Sequence, residues 1–380
     1  MTKGSGYDVI VVGVGAMGSS ACYHLAKRGA RVLGLEQFDI PHARGSSHGQ
    51  SRMIRMAYYE HPDYVPLLRR AYELWDEIEH ASGQKLLHVT GGLYMGPPDG
   101  EVVAGSLQSA RQHGLEHELL DRAETARRFP QFTIPDEWSA LYEPRAGFLL
   151  PERTVAAYAE AALRHGADLR GHEAVVAWRA TERGVGVRTT RAEYEADRLL
   201  FCGGPWSAKL MTDLGVPLVV TRQVLGWVWP RKPELFELGR LPVWAIERPQ
   251  GLYYGFPMMD GSPGFKLADH GRGAETDPDR VSREVGSDDE ETFRPALARF
   301  VPDAQGPTLA MRVCLYTHSS DSHFIIDRHP EYERVVLACG FSGHGFKFAS
   351  VVGEVLADLT VDGRTRLPVA FLGLNRFARA

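Results

Sequence analysis

Two short, almost wholly apolar runs, 7–12 and 32–35, flank a helical stretch that ends at Arg28. Apolar runs without polar alternation predict strands buried on both faces, so the first 36 residues read as a βαβ unit. Further on the period changes. Residues 64–79 read as an amphipathic helix, and 100–129 predict further helices broken by Gly114. From Leu149 the βα pattern returns, with a helix over 155–165, strands over 173–178 and 186–189, and the run Arg198-Leu-Leu-Phe-Cys-Gly-Gly204. Residues 216–267 differ: short runs rich in Val, Trp and Tyr, punctuated by Pro and Gly, predict an antiparallel sheet. Finally 335–339 reads as a buried strand, followed by a glycine turn and a helix over 349–359.

The first turn carries chemistry. It reads Gly13-Val-Gly15-Ala-Met-Gly18. Gly13 allows a tight turn, Gly15 lets the backbone approach a pyrophosphate, and Gly18 lets helix and strand pack closely. The helix N-terminus turns its N–H groups and positive dipole end toward the phosphates. Glu36, 18 residues after the last glycine, can accept both ribose hydroxyls and would repel a 2′-phosphate. An ordinary strand-turn-helix leaves Glu36 unexplained, so an adenine dinucleotide is expected. The expected class is α/β, α+β overall. A Rossmann-type domain from 1–80, 145–218 and 322–380 interleaves with an antiparallel-sheet substrate domain from 81–144 and 219–321. The chain shows no repeat and no low-complexity linker.

Composition narrows the partners. The 380 residues are 44% hydrophobic and 24% charged, with net charge -5, and there is no basic run, so nucleic acid and anionic membrane are not expected partners. The N-terminal apolar run is short and glycine-broken, without a cleavable signal pattern, and Ala378-Arg-Ala380 is no peroxisomal tripeptide. Cys22, Cys202, Cys314 and Cys339 lie far apart without a CxxC, which argues against a zinc site or a disulfide framework. A cytoplasmic protein without metal is the expectation.

Two more glycine-rich stretches stand out: Gly45-Ser-Ser-His-Gly-Gln-Ser-Arg-Met-Ile-Arg55, after the second strand, and Gly340-Phe-Ser-Gly-His-Gly-Phe-Lys-Phe348, between strand and helix. Read plainly, Arg52 and Arg55 are solvated charges at i,i+3 spacing. The lysines are more telling. Of 43 Lys and Arg only 7 are lysine, yet Lys266 and Lys347 both fall in what read as apolar, glycine-flanked loops. A compact ammonium fits a small cavity where a guanidinium fork does not.

These residues carry a resemblance. From Tyr7 to about Arg376 the chain resembles the monomeric sarcosine oxidase and N-methyltryptophan oxidase family, flavoproteins of the D-amino-acid and glycine oxidase class. The motifs are 13–18, 45–55, Tyr253-Tyr-Gly-Phe-Pro257, Phe265-Lys-Leu267, the segment around Cys314, His323-Phe-Ile-Ile-Asp327 and 340–348. The wording Ser46-Ser-His-Gly-Gln-Ser-Arg52 is similar to the pipecolate-oxidising branch. The resemblance implies FAD held by a thioether from Cys314; the plain reading of that cysteine is a small buried hydrophobe. It implies cofactor contacts from Gly13, Gly15, Gly18, Glu36, Ser46 and His48, and from Arg52, Val175, Gly204, Gly343, Gly345 and Lys347. Arg55 and Lys347 would hold a substrate carboxylate. Lys266 would speed oxygen reduction, with Arg52 adding to the same field. Tyr254 and Ala245 would line the substrate pocket, Ala245 standing where sarcosine-preferring relatives place methionine. His270 either tunes the amine's protonation or is a satisfied structural histidine.

The implied reaction is oxidation of a secondary amino acid, sarcosine or another N-methyl amino acid, to an imine with dioxygen reduced to hydrogen peroxide, by a monomer. L-pipecolate or another cyclic imino acid is the alternative substrate. Two rivals stand beside this. A flavin or nicotinamide dehydrogenase with another electron acceptor keeps the fingerprint without needing Lys266, and a non-catalytic nucleotide sensor gains nothing from a buried cation pair.

Overall fold

The computed structural model describes residues 6–212 and 214–377; the C-terminal tripeptide lies outside the described residues. Tyr7–Val12 runs parallel to Val32–Leu35, pairing Val9 with Val32 and Val12 with Leu35, and the helix Ala16–Lys27 connects them. All four residues of the second strand are buried, as its unbroken apolar sequence requires. Gly13 has φ +89°, and a Cβ there would stand 2.4 Å from the Cys202 carbonyl oxygen. A Cβ on Gly18 would stand 1.8 Å from the Gly13 oxygen. No other residue fits either position without moving the turn.

Among the described residues the strands form sheets of eight, nine and three. The eight-stranded sheet takes its strands from Tyr7–Val12 and Val32–Leu35, from Asp168–Arg170 and three strands between 175 and 201, and from Ile325–Arg328 and Val335–Cys339. Ala16–Lys27, Pro151–Arg164 and Ala349–Val361 pack together on it around Ala21, Leu25, Val155, Val352 and Leu356. The nine-stranded sheet joins strands from 92–143 to strands from 219–318. It is not wholly antiparallel as expected, because Val243–Arg248 runs parallel to Gly92–Gly96. The three-stranded sheet, Arg52–Ile54, Leu87–Val89 and Gly147–Leu149, lies in sequence at the junctions of these segments.

Three local expectations fail for physical reasons. Within 100–129, the helix Glu101–His113 ends at Gly114, whose φ is +60°, but Glu118–Leu120 then forms a strand before the helix Arg122–Arg128. Three residues with only Leu120 buried are too few to show a period of two. Arg52 begins a strand, so i,i+3 spacing does not place Arg52 and Arg55 on a solvated helical face. Lys266 is on the strand Phe265–Gly271, not in a loop.

Candidate active site

A cavity of about 390 Å³ opens at the carboxyl ends of the first two strands, the usual ligand position in such sheets. Gly13, Gly15, Glu36, Ser46 and Arg52 line it from the first segment. Val175, Gly204, Gly343 and Gly345 line it from segments far along the chain. Gly18 does not line it and acts through packing. The first-turn amides of Ala16–Lys27 have no partner within the helix, and Ser47 Oγ accepts the Ala16 N–H at 3.2 Å. Glu36 Oε2 accepts the Val14 N–H at 2.9 Å and Oε1 the Phe38 N–H at 3.1 Å. That fixes the carboxylate and, with His42 Nε2 3.5 Å from Oε1, leaves Oε2 a lone pair for a ribose hydroxyl. Backbone donors at a helix start beside a fixed carboxylate fit the diphosphate and ribose of FAD.

A second cavity of about 70 Å³ shares Arg52, Tyr316, Gly343 and Phe346 with the first, so the two meet at one wall. Arg55, Lys347, Ala245, Tyr254 and His270 all line this smaller cavity. Ala245 sits in register between Tyr94 on one neighbouring strand and Tyr254 on the other. The Arg52 guanidinium donates to the Ser46 carbonyl at 3.0 Å, the Ser51 carbonyl at 2.9 Å and Cys314 Sγ at 3.3 Å. Cys314 is itself buried and lines neither cavity, but Ser46, Leu315 and Tyr316 around it line the larger one.

The smaller cavity is rich in buried charge. Arg55 Nη2 lies 2.6 Å from both oxygens of Glu60, and its guanidinium carbon is 4.3 Å from the ring centre of Tyr58 and 4.6 Å from that of Tyr59. Burial disfavours the Glu60 carboxylate, but Arg55, His344 and Lys347 outweigh it and bring its pKa down to about 2. Burial, with Arg55 adding to it, lowers the Lys347 pKa to about 7, while its Nζ donates to the His344 carbonyl at 2.7 Å. His270 is held neutral by burial, its pKa lowered to about 4, and its Nδ1 is 3.1 Å from the Tyr316 hydroxyl.

Lys266 and His48 stand behind this wall and line neither cavity. Lys266 Nζ donates to the carbonyls of Gly49 and Ser51, each at 2.7 Å, and to Ser51 Oγ at 3.1 Å, which engages all three of its protons. Burial, then the Arg52 charge, lowers its pKa well below the usual lysine value. His48 is buried with no hydrogen-bond partner on either ring nitrogen, and burial followed by Arg52 and Lys266 lowers its pKa to about 3.

Sequence reasoning missed Glu60, Tyr59 and Phe346, which all line the smaller cavity. An acid five residues from an arginine matches no strand or helix period; only the apolar stretch Met56-Ala-Tyr-Tyr59 between them hinted that both were buried.

The chain is similar to known proteins along nearly its whole length. The FAD dependent oxidoreductase (DAO) family model matches residues 8–359. The monomeric sarcosine oxidase of Streptomyces avermitilis is 44% identical, with 98% of each chain covered. The N-methyl-L-tryptophan oxidase of Yersinia pestis is 34% identical over 98% of this chain and 99% of its own. The solved structure of NikD, an unusual amino acid oxidase essential for nikkomycin biosynthesis, has the same fold, with TM-score 0.85 at 24% identity and 97% of each chain covered.

Proposed function

The chain belongs to the FAD dependent oxidoreductase (DAO) family, and from that premise we propose that it oxidises the C–N bond of a secondary amino acid to an imine while dioxygen becomes hydrogen peroxide. It is a flavoprotein amine oxidase. The substrate is an N-methyl amino acid, sarcosine or a larger one; the alternative is a cyclic imino acid such as L-pipecolate. One observation carries this reading. A small cavity with two buried cations shares its wall with the cofactor cavity.

When bound, FAD supplies the two-electron acceptor for the hydride equivalent leaving the carbon next to nitrogen. The residues do the rest. Arg55 and Lys347 bind the substrate carboxylate and so fix the amine's distance from the shared wall. Arg52, Arg55 and Lys347 outnumber the one Glu60 carboxylate in the cavity wall and so disfavour an ammonium, and the amine binds neutral, its proton leaving without a strong base; the neutral His270 ring lines the same cavity. Tyr254, Tyr316 and Phe346 exclude water until the imine departs and hydrolyses.

Three finer assignments belong to this proposal. Cys314 carries the flavin as a thioether, supported by its sulfur lying 3.3 Å from the Arg52 guanidinium and by Ser46, Leu315 and Tyr316 around it lining the larger cavity. Lys266, with Arg52, stabilises charge developing on oxygen through a low-dielectric wall. The FAD-binding part comprises 1–80, 145–218 and 322–380, supported by the eight-stranded sheet drawing on all three segments, and 81–144 with 219–321 forms the substrate domain. Among the described residues no helix is long and apolar enough to cross a membrane; a cytoplasmic monomer is proposed. A panel of N-methyl and cyclic amino acids scored for peroxide release tests the whole reading. Substrate-dependent reduction of an artificial acceptor without peroxide would instead establish a dehydrogenase.

A further inference from the structure

One buried acid near the site has no part in the chemistry above. Glu143 ends the strand Ser139–Glu143 and is 1% exposed. Its Oε1 accepts the Met56 N–H at 2.7 Å, and its Oε2 accepts the Ala57 N–H and the Tyr94 hydroxyl, each at 3.1 Å. A carboxylate is acceptor-only, which suits three converging donors; an amide would turn an NH2 toward one of them. Burial raises the Glu143 pKa, against the pull of the Met56 and Ala57 amides, Tyr94 and Arg55.

Of the three donors Tyr94 lines the smaller cavity, and Met56 and Ala57 adjoin Arg55, which lines it too. Met56 and Ala57 directly follow Arg55, whose Nη1 folds back onto the Ala57 carbonyl at 3.3 Å. The held backbone is therefore one anchor of the guanidinium, beside Glu60 and the Tyr58 and Tyr59 rings. Tyr94 lines the cavity beside Ala245, its partner in register. We infer that Glu143 is a positioning residue: it holds the carboxylate-binding Arg55 and the Tyr94 wall at a fixed separation, so the site measures the distance between a substrate's carboxylate and its apolar substituent. This rests on Arg55 being the carboxylate holder proposed above.

The test uses the flavin-loaded enzyme and two ligands read by perturbation of the flavin spectrum. Methoxyacetate has a carboxylate and no amine; N-methylethylamine has an amine and no carboxylate. Glu143→Gln is expected to weaken methoxyacetate at least fivefold while N-methylethylamine stays within twofold. A smaller loss, or an equal loss for both ligands, overturns the inference and leaves Glu143 a fold residue. Arg55→Gln run alongside separates the two claims: if it weakens methoxyacetate selectively and Glu143→Gln does not, only the positioning role falls. If neither moves methoxyacetate, the carboxylate assignment falls with it. Should Glu143→Gln not fold, Tyr94→Phe decides. A change of fivefold or more in the kcat/KM ratio of N-methylphenylalanine to sarcosine supports the inference, and an unchanged ratio overturns it.

Discussion

Arg55 and Glu60, five residues apart, form a buried ion pair in the wall of the smaller cavity, Nη2 lying 2.6 Å from both carboxylate oxygens. On the proposed reading an incoming carboxylate competes with Glu60 for the same guanidinium. Charge-assisted hydrogen bonds contribute about 1.5–3 kcal/mol each, and about 1.4 kcal/mol is tenfold in affinity. Arg55→Ala or Lys347→Ala is therefore expected to weaken carboxylate ligands by about ten- to a hundredfold, while an amine without a carboxylate loses little. Glu60→Gln removes the competitor and is expected to tighten methoxyacetate. Binding isotherms for both ligand types check this; equal losses for the two would assign the cations to the fold or the flavin.

The same cluster predicts a pH dependence. Glu60, His344 and His270 have pKa values lowered to about 2, 3 and 4, so none of them titrates near neutrality, whereas Lys347 does so at about 7. Lys347 is cationic below that value and neutral above it, and a bound carboxylate raises its pKa. Methoxyacetate, which itself stays ionised, should thus bind tightest below pH 7 and weaken as pH rises, by at most about a decade per unit for a single proton. Lys347→Met should bind weakly at every pH and lose the slope. A slope that persists in this variant assigns the titration to another group.

The sequence is most legible where burial is two-sided and local. Tyr7–Val12, Val32–Leu35 and Val335–Cys339 have the bounds their apolar runs predict. Glu118–Leu120 is illegible because it is short and half exposed, and Lys266 looked like a loop residue because its strand begins just after Gly264. Glu143 was illegible for another reason. It holds backbone amides 86 and 87 residues away, a contact only the assembled sheets create.

Cys314 Sγ lies 3.3 Å from the Arg52 guanidinium. FAD is expected to stay with the polypeptide through acid precipitation and denaturing electrophoresis, and Cys314→Ser should release it. Flavin found wholly in the supernatant of the wild-type precipitate removes the thioether and leaves noncovalent FAD binding intact.

Lys266 Nζ is held by the Gly49 and Ser51 carbonyls and by Ser51 Oγ, three acceptors that favour its ammonium against the burial that lowers its pKa, so the proposed effect on oxygen is electrostatic and not a proton donation. Lys266→Met is expected to slow reoxidation of the reduced enzyme by orders of magnitude and to alter anaerobic reduction much less. Stopped-flow measurement of the two half-reactions separates them. An unchanged oxidative half-reaction moves the oxygen site and makes Arg52 the next residue to replace.

On the proposed reading Ala245 sets how much room the substrate has. It is 4% exposed, in register between Tyr94 and Tyr254, and lines the cavity that holds Arg55 and Lys347. A methyl side chain leaves space that a methionine would fill. Each additional buried CH2 contributes about 0.8 kcal/mol, so N-methylated larger amino acids or L-pipecolate should compete well with sarcosine on the wild-type enzyme. Ala245→Met should reverse that order by excluding the larger ligands while leaving the carboxylate contacts in place. Ranking kcat/KM for sarcosine, N-methylalanine, L-pipecolate and N-methyltryptophan on both proteins is the measurement. Sarcosine far ahead on the wild type, with no change when residue 245 is enlarged, would place the specificity wall elsewhere in the cavity.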